Sequence, residues 1–170
     1  MAVVVLLSAG LMAGCDADSK ENGKGAHVRE SVGNGSGLGS YEDAQREYEQ
    51  ERSRLELPTG MIFPEWRELY TDEAGSYERG TGVMEAQMYW MNAWIVEWLE
   101  QRGRDPKREQ RALAVLRDEV PRSQLMTKYG DQGMRDYFAG CLQRAELGDP
   151  SGYQQAITVN EITIKREGDQ

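Results

Sequence analysis

The sequence predicts an all-α domain of about five helices, set behind an apolar leader and a flexible stretch. Two observations carry that reading. Apolar side chains recur at spacings of three, four and seven in the segments after Ser40, the signature of helices with one buried face. Helix-start signals stand ahead of those segments, at Ser40, Asp105-Pro106 and Asp149-Pro150. At 170 residues the chain is long enough for a single hydrophobic core plus tails. The divisions expected are 1–14 as leader, 15–39 as tether and 40–170 as helical domain.

The leader, MAVVVLLSAGLMAG, has no charged side chain and is shorter than the roughly 20 apolar residues that cross a bilayer. It reads as the apolar region of a signal peptide. Its last residues with the next, Met12-Ala13-Gly14-Cys15, resemble the lipobox of bacterial lipoproteins, in which an aliphatic residue and two small ones precede a Cys. The resemblance implies that Cys15 is diacylglycerylated on sulfur and becomes the first residue of the mature chain. Met12 stands where Leu is usual, and no Lys or Arg precedes the apolar run. Either the amino terminus supplies the positive charge or the start lies upstream. An ordinary cleaved signal, or a chance apolar start, with Cys15 incidental, is the plainer alternative.

From Asp16 to Gly39 the chain is rich in Gly, Ser and charge, without apolar periodicity. Such a segment of roughly 25 residues has an r.m.s. reach of about 25–30 Å, enough to lift a domain off a lipid surface. GNGSGLG within it lacks the spacing of a nucleotide-binding loop and follows no strand. The only histidine, His27, falls here, which leaves the domain without imidazole for a metal site or a Ser-His-Asp triad.

The elements follow in order. Ser40 with Asp43 is an acidic capping box, opening a helix whose Tyr41, Ala44, Tyr48 and Leu55 share a face. Glu42–Arg46 and Arg52–Glu56 are spaced to pair along its exposed side, and Pro58 ends it. Met61-Ile62-Phe63 is an apolar connection, leading to a short helix around Glu65–Tyr70. Gly75, Gly80 and Gly82 mark loop, and a long helix runs from about Thr81 to Arg102.

In that helix Trp90, Trp94 and Trp98 stand four apart and drift only about 40° per step, forming one ladder. Met84, Met88, Met91, Ile95 and Leu99 widen the apolar arc, so the helix is expected to be central. The ladder beside Glu97 is a candidate ligand face, since aromatic surfaces with a carboxylate among them can orient a ligand. The competing and stronger expectation is plain core, with Glu97 at the rim paired to an arginine.

After Asp105-Pro106 a further helix turns Leu113, Leu116 and Val120 inward, until Pro121 breaks it and Ser123–Tyr129 continues briefly. From Asp131, the residues Met134, Tyr137, Phe138, Cys141, Leu142 and Ala145 mark an amphipathic helix closed by Gly148. The tail YQQAITVNEITIK mixes a helix cap with β-branched residues. A helix to about Asn160 with a frayed end is expected. Cys141 on its apolar stripe, with no Lys or His nearby, reads as a buried, reduced, structural thiol.

LPTGMIFPEW, followed after a Gly-rich loop by MEAQMYWMNAWIVEWL, resembles uncharacterised lipoprotein-like exported proteins of Actinobacteria. Fifteen Arg against five Lys suits a high-GC genome. Members of that group often carry Cys near the place of Asn92, and the resemblance supplies no function.

A formal net charge of −9 argues against nucleic acid, which needs a basic face, and against charge-driven adhesion to anionic lipid. No catalytic motif, metal-ligand set or cofactor loop stands out. The expected function is therefore that of a membrane-anchored lipoprotein, exported to the outer face of the cell membrane. Its helical domain binds or scaffolds an envelope protein or glycan without catalysis. The alternative is a cell-wall glycan hydrolase using paired carboxylates near the Trp helix.

Overall fold

The computed structural model describes residues 37–169. The leader 1–14, the tether as far as residue 36, Cys15 and His27 lie outside the described residues.

The domain is all-α. Five helices of nine residues or more are α1 (Tyr41–Arg52), α3 (Thr81–Gln101), α4 (Pro106–Asp118), α5 (Gln132–Glu146) and α6 (Ser151–Val159). A short α2 (Trp66–Leu69) and two two-residue strands, β1 (Leu38–Gly39) and β2 (Tyr77–Glu78), complete the order. The last residues assigned to the tether thus join the domain, since Leu38 and Gly39 pair antiparallel with Glu78 and Tyr77.

α1 begins with the expected capping box: Ser40 Oγ accepts from the Asp43 amide and Asp43 Oδ2 from the Ser40 amide, both at 3.2 Å. It ends at Arg52, well before Pro58. Ser53 Oγ donates to Gln50 O at 2.8 Å, a local bond that competes with helix continuation. The expected Arg52–Glu56 and Glu42–Arg46 pairs give way to Arg52–Glu49 at 2.6 Å and Arg46–Asp43 at 2.8 Å, each three residues apart. Leu55 leaves the helix and packs between the aromatic clusters as part of an irregular segment.

α3 is the central element, with α1 against one side and α4 against another. Gly80 (φ 94°) supplies its left-handed entry. Gly82, expected in the loop, lies in the first turn of α3 and is buried. A Cβ there would overlap Ala44 O and Tyr48 N of α1, so this glycine permits the close crossing of the two helices.

Asp105 Oδ1 caps α4, accepting from the Lys107 and Arg108 amides at 3.0 and 3.2 Å. Past Asp118 the chain makes a 3-10 turn at Val120–Arg122 containing Pro121, then a π turn at Leu125–Tyr129. Buried Gln87 ties that turn to α3 by accepting from the Leu125 amide at 2.5 Å, and donates to buried Glu51 of α1 at 2.6 Å.

α5 buries Phe138, Cys141 and Ala145, while Tyr137, expected on the same stripe, is 49% exposed. It sits on the flank of the face that packs against α4 and α6. Gly148 (φ 82°) closes the helix.

The expected frayed end is not found. After α6 the chain turns at Glu161 (φ 49°) and runs back, with the Ile62 amide donating to Lys165 O and the Glu167 amide to Gly60 O, each at 3.0 Å. Tyr89 Oη accepts from the Lys165 amide at 2.7 Å and donates to Ile62 O at 2.9 Å. The β-branched residues thus serve an extended return that buries Ile164 against Met61 and Ala93. Among the described residues no helix is long and apolar enough to cross a membrane.

Candidate functional site: a cleft beside the tryptophan helix

The helical period puts Trp90, Trp94 and Trp98 on one side of α3, and all three are buried, at 4%, 4% and 1% exposure. Trp90 and Trp94 donate their indole N–H groups to the same acceptor, Glu56 O, at 3.0 and 3.1 Å. This shared carbonyl pins the chain after α1 across the ladder. Trp98 turns into the core, edge-on to Tyr153 with ring centroids 5.7 Å apart. The ladder is therefore packed core in which only the borders of Trp90 and Trp94 meet surface depressions.

Glu97 is 2% exposed. Both its oxygens are taken by Arg108 of α4, with Nε on Oε1 at 2.6 Å and Nη2 on Oε2 at 2.9 Å. A bidentate pair of this kind supplies the hydrogen bonds that a buried carboxylate needs. The Glu97 hydrogen bonds push the Arg108 pKa further up. The guanidinium stays charged throughout.

Trp94 and Glu97 meet at a cleft of about 210 Å³, walled also by Glu56, Lys107, Arg108 and Arg111 and by the Leu57–Thr59 segment. Arg111 lies 5.6 Å over the Trp94 ring, a cation–π distance. It pairs loosely with Glu56 and Glu119, at 3.7 and 3.6 Å. The sequence reading named Trp94 and Glu97 and missed the cations. The signal was there: Lys107, Arg108 and Arg111 follow an N-cap on the helix adjoining the Trp helix, with the 107–111 spacing keeping two of them on one face.

A second aromatic region went unnoticed in the sequence. Trp66 stacks on Tyr70 at 4.4 Å and meets Tyr41, Tyr48 and Tyr77 at 5.5–6.0 Å. Its indole N–H has no hydrogen-bond partner among the described residues.

Cys141 is buried at 1% exposure and unpaired. The thiol does have a cationic neighbour, Arg144, whose Nη2 lies 3.6 Å from Sγ. Helical spacing of three brings it there, and the sequence reading had weighed only Lys and His. α6 also covers the thiol closely, since a Cβ at Gly152 would stand 2.9 Å from Sγ. No group of three or more metal-ligating side chains converges among the described residues.

Comparison of the chain with protein-family models, curated proteins and solved structures found no match. What defines the protein is thus its own geometry: among the described residues, a small helical domain with its tryptophan helix packed in the core and a cation-walled cleft beside it.

Proposed function

We propose that the chain is a membrane-anchored bacterial lipoprotein whose helical domain binds an envelope partner without catalysing a reaction. The observation that carries the anchor is Met12-Ala13-Gly14-Cys15 at the boundary where an apolar run gives way to a polar, Gly-rich stretch. The distribution of polar groups above it supports a binding role. Near the Trp helix, Glu97 has both oxygens bonded to Arg108, and a general acid or base needs a free oxygen to exchange its proton. The aromatic ladder is committed to core packing, which leaves recognition to the surface.

Fractionation of cells making the native chain and Cys15→Ala tests the anchor. The native chain should sediment with membranes and incorporate labelled fatty acid, and Cys15→Ala should do neither while keeping the helical content of the native chain. Undiminished fatty-acid labelling of Cys15→Ala would sink the proposal.

A further inference from the structure

The cleft beside Trp94 gathers cations on a chain whose formal net charge is −9. Lys107, Arg108 and Arg111 share the cleft lining with two carboxylates, Glu56 and Glu97, while Glu119 lies 3.6 Å from Arg111 and Asp105 and Glu100 act on Arg108 from nearby. A guanidinium presents two edges, each offering a pair of N–H groups to an oxyanion. Glu97 takes the Nε/Nη2 edge of Arg108, and Nη1 has no partner among the described residues. The carboxylate is buried while the Arg108 side chain is 41% exposed. A buried acid therefore orients an accessible arginine without using up its donors.

The other two cations are less committed. Lys107 makes no ion pair among the described residues, and Arg111 has only contacts beyond 3.5 Å to Glu56 and Glu119. Glu56 is 81% exposed, so water competes for it and its hold on Arg111 is weak.

We infer that this cleft binds a phosphoryl group carried by a soluble or polymeric envelope molecule. A phosphoryl group brings three acceptor oxygens and up to two negative charges. That matches one free guanidinium edge, one ammonium and a second guanidinium. A carboxylate, with two oxygens, engages fewer of these donors at once. The negative surface of the rest of the chain repels an anionic bilayer, which favours a phosphate ester off the membrane over a lipid headgroup. The inference rests on the domain being a binding module and is independent of the anchor.

Full-length chain carrying Cys15→Ala is titrated with glycerol phosphate at constant ionic strength, and the Trp94 indole and Arg108 Nε resonances are followed by NMR. Both should shift in a saturable way. Lys107→Glu and Arg111→Gln, both at exposed positions, should keep the native spectrum elsewhere and weaken binding by about tenfold each, the loss expected for a charge-assisted contact. Glu56→Gln, which removes the competing carboxylate, should tighten it. Absence of a saturable shift, or shifts equal in native and Lys107→Glu chains, would overturn the cleft as a phosphoryl site. Stronger shifts with acetate than with glycerol phosphate would overturn the ligand class. Sedimentation with phosphatidylglycerol vesicles, abolished by Lys107→Glu, would overturn the choice of a source off the membrane. A failed titration leaves the tether to the fractionation test.

Discussion

The tryptophans of α3 are buried and the rings gathered around Trp66 are buried or partly buried, yet the two groups are assembled in opposite ways. Trp90, Trp94 and Trp98 come from one helix, and a single carbonyl, Glu56 O, satisfies two of their N–H groups. The rings around Trp66 come from α1, α2, the chain just after it and β2, brought together across the sequence. Their hydroxyls are answered one by one, while the Trp66 N–H is not: Tyr48 Oη donates to Pro64 O at 2.9 Å, Tyr70 Oη to Glu85 at 2.7 Å and Tyr77 Oη to Asp72 O at 2.8 Å. The first region is fixed by helical register and the second by loops. Damage to the first should therefore reach the whole domain, and damage to the second should depend on which hydroxyl or ring is touched.

The largest effect is expected from truncating the ladder. Trp94→Ala should destabilise the chain by about 3–5 kcal/mol, the usual cost of removing a large buried aromatic, as measured by urea unfolding. A fully stable variant that had lost glycerol phosphate binding would instead make Trp94 a ligand-contacting surface and break the contrast.

A smaller effect separates the two indole N–H environments. Trp94→Phe removes a ring of the same size as Trp66→Phe does, but only Trp94 gives up a hydrogen bond. Glu56 O keeps its bond from Trp90, so no acceptor is orphaned. Trp94→Phe should be the costlier change by about 1 kcal/mol, the net worth of one such bond. Equal losses on urea unfolding would mean that the shared carbonyl contributes nothing.

The smallest effect is in alkali. Burial raises the pKa of Tyr48, and burial together with the bond to Glu85 raises that of Tyr70; Tyr77 moves the same way. Groups whose pKa is raised by folding give stability that is complete below the unfolded value, 10.0 here, and that is lost as pH rises beyond it. Tyr89 of α3 and Tyr153 beside the ladder share the direction, but the Trp66 region holds three such hydroxyls. Unfolding free energy should stay level to about pH 10 and then fall, and Tyr70→Phe should flatten the fall. A decline that begins near neutrality, or one unaltered by Tyr70→Phe, would contradict this.

The same contrast explains what the sequence disclosed. Capping residues Ser40 and Asp105, the span of α3 and the buried faces of α4 and α5 rest on local spacing, and local spacing is written in the chain. The path of the chain after α1 depends on Glu56 O being held by two distant indoles, which no local pattern announces. The return of the tail depends on Tyr89, 76 residues from Lys165. Gly82 looked like loop punctuation because its reason, the approach of α1, is tertiary. At the cleft, Trp94 and Glu97 drew notice as aromatic and acid on one helix. Their cationic neighbours belong to the next helix, and only the crossing of α3 with α4 joins them.

The proposed tether is tested most directly by the intact mass of the protein extracted from membranes. A mature chain beginning at Cys15 and carrying a diacylglyceryl group on its sulfur is the predicted result. A chain that still carries Met1–Gly14, or one whose Cys15 thiol is free, would contradict it.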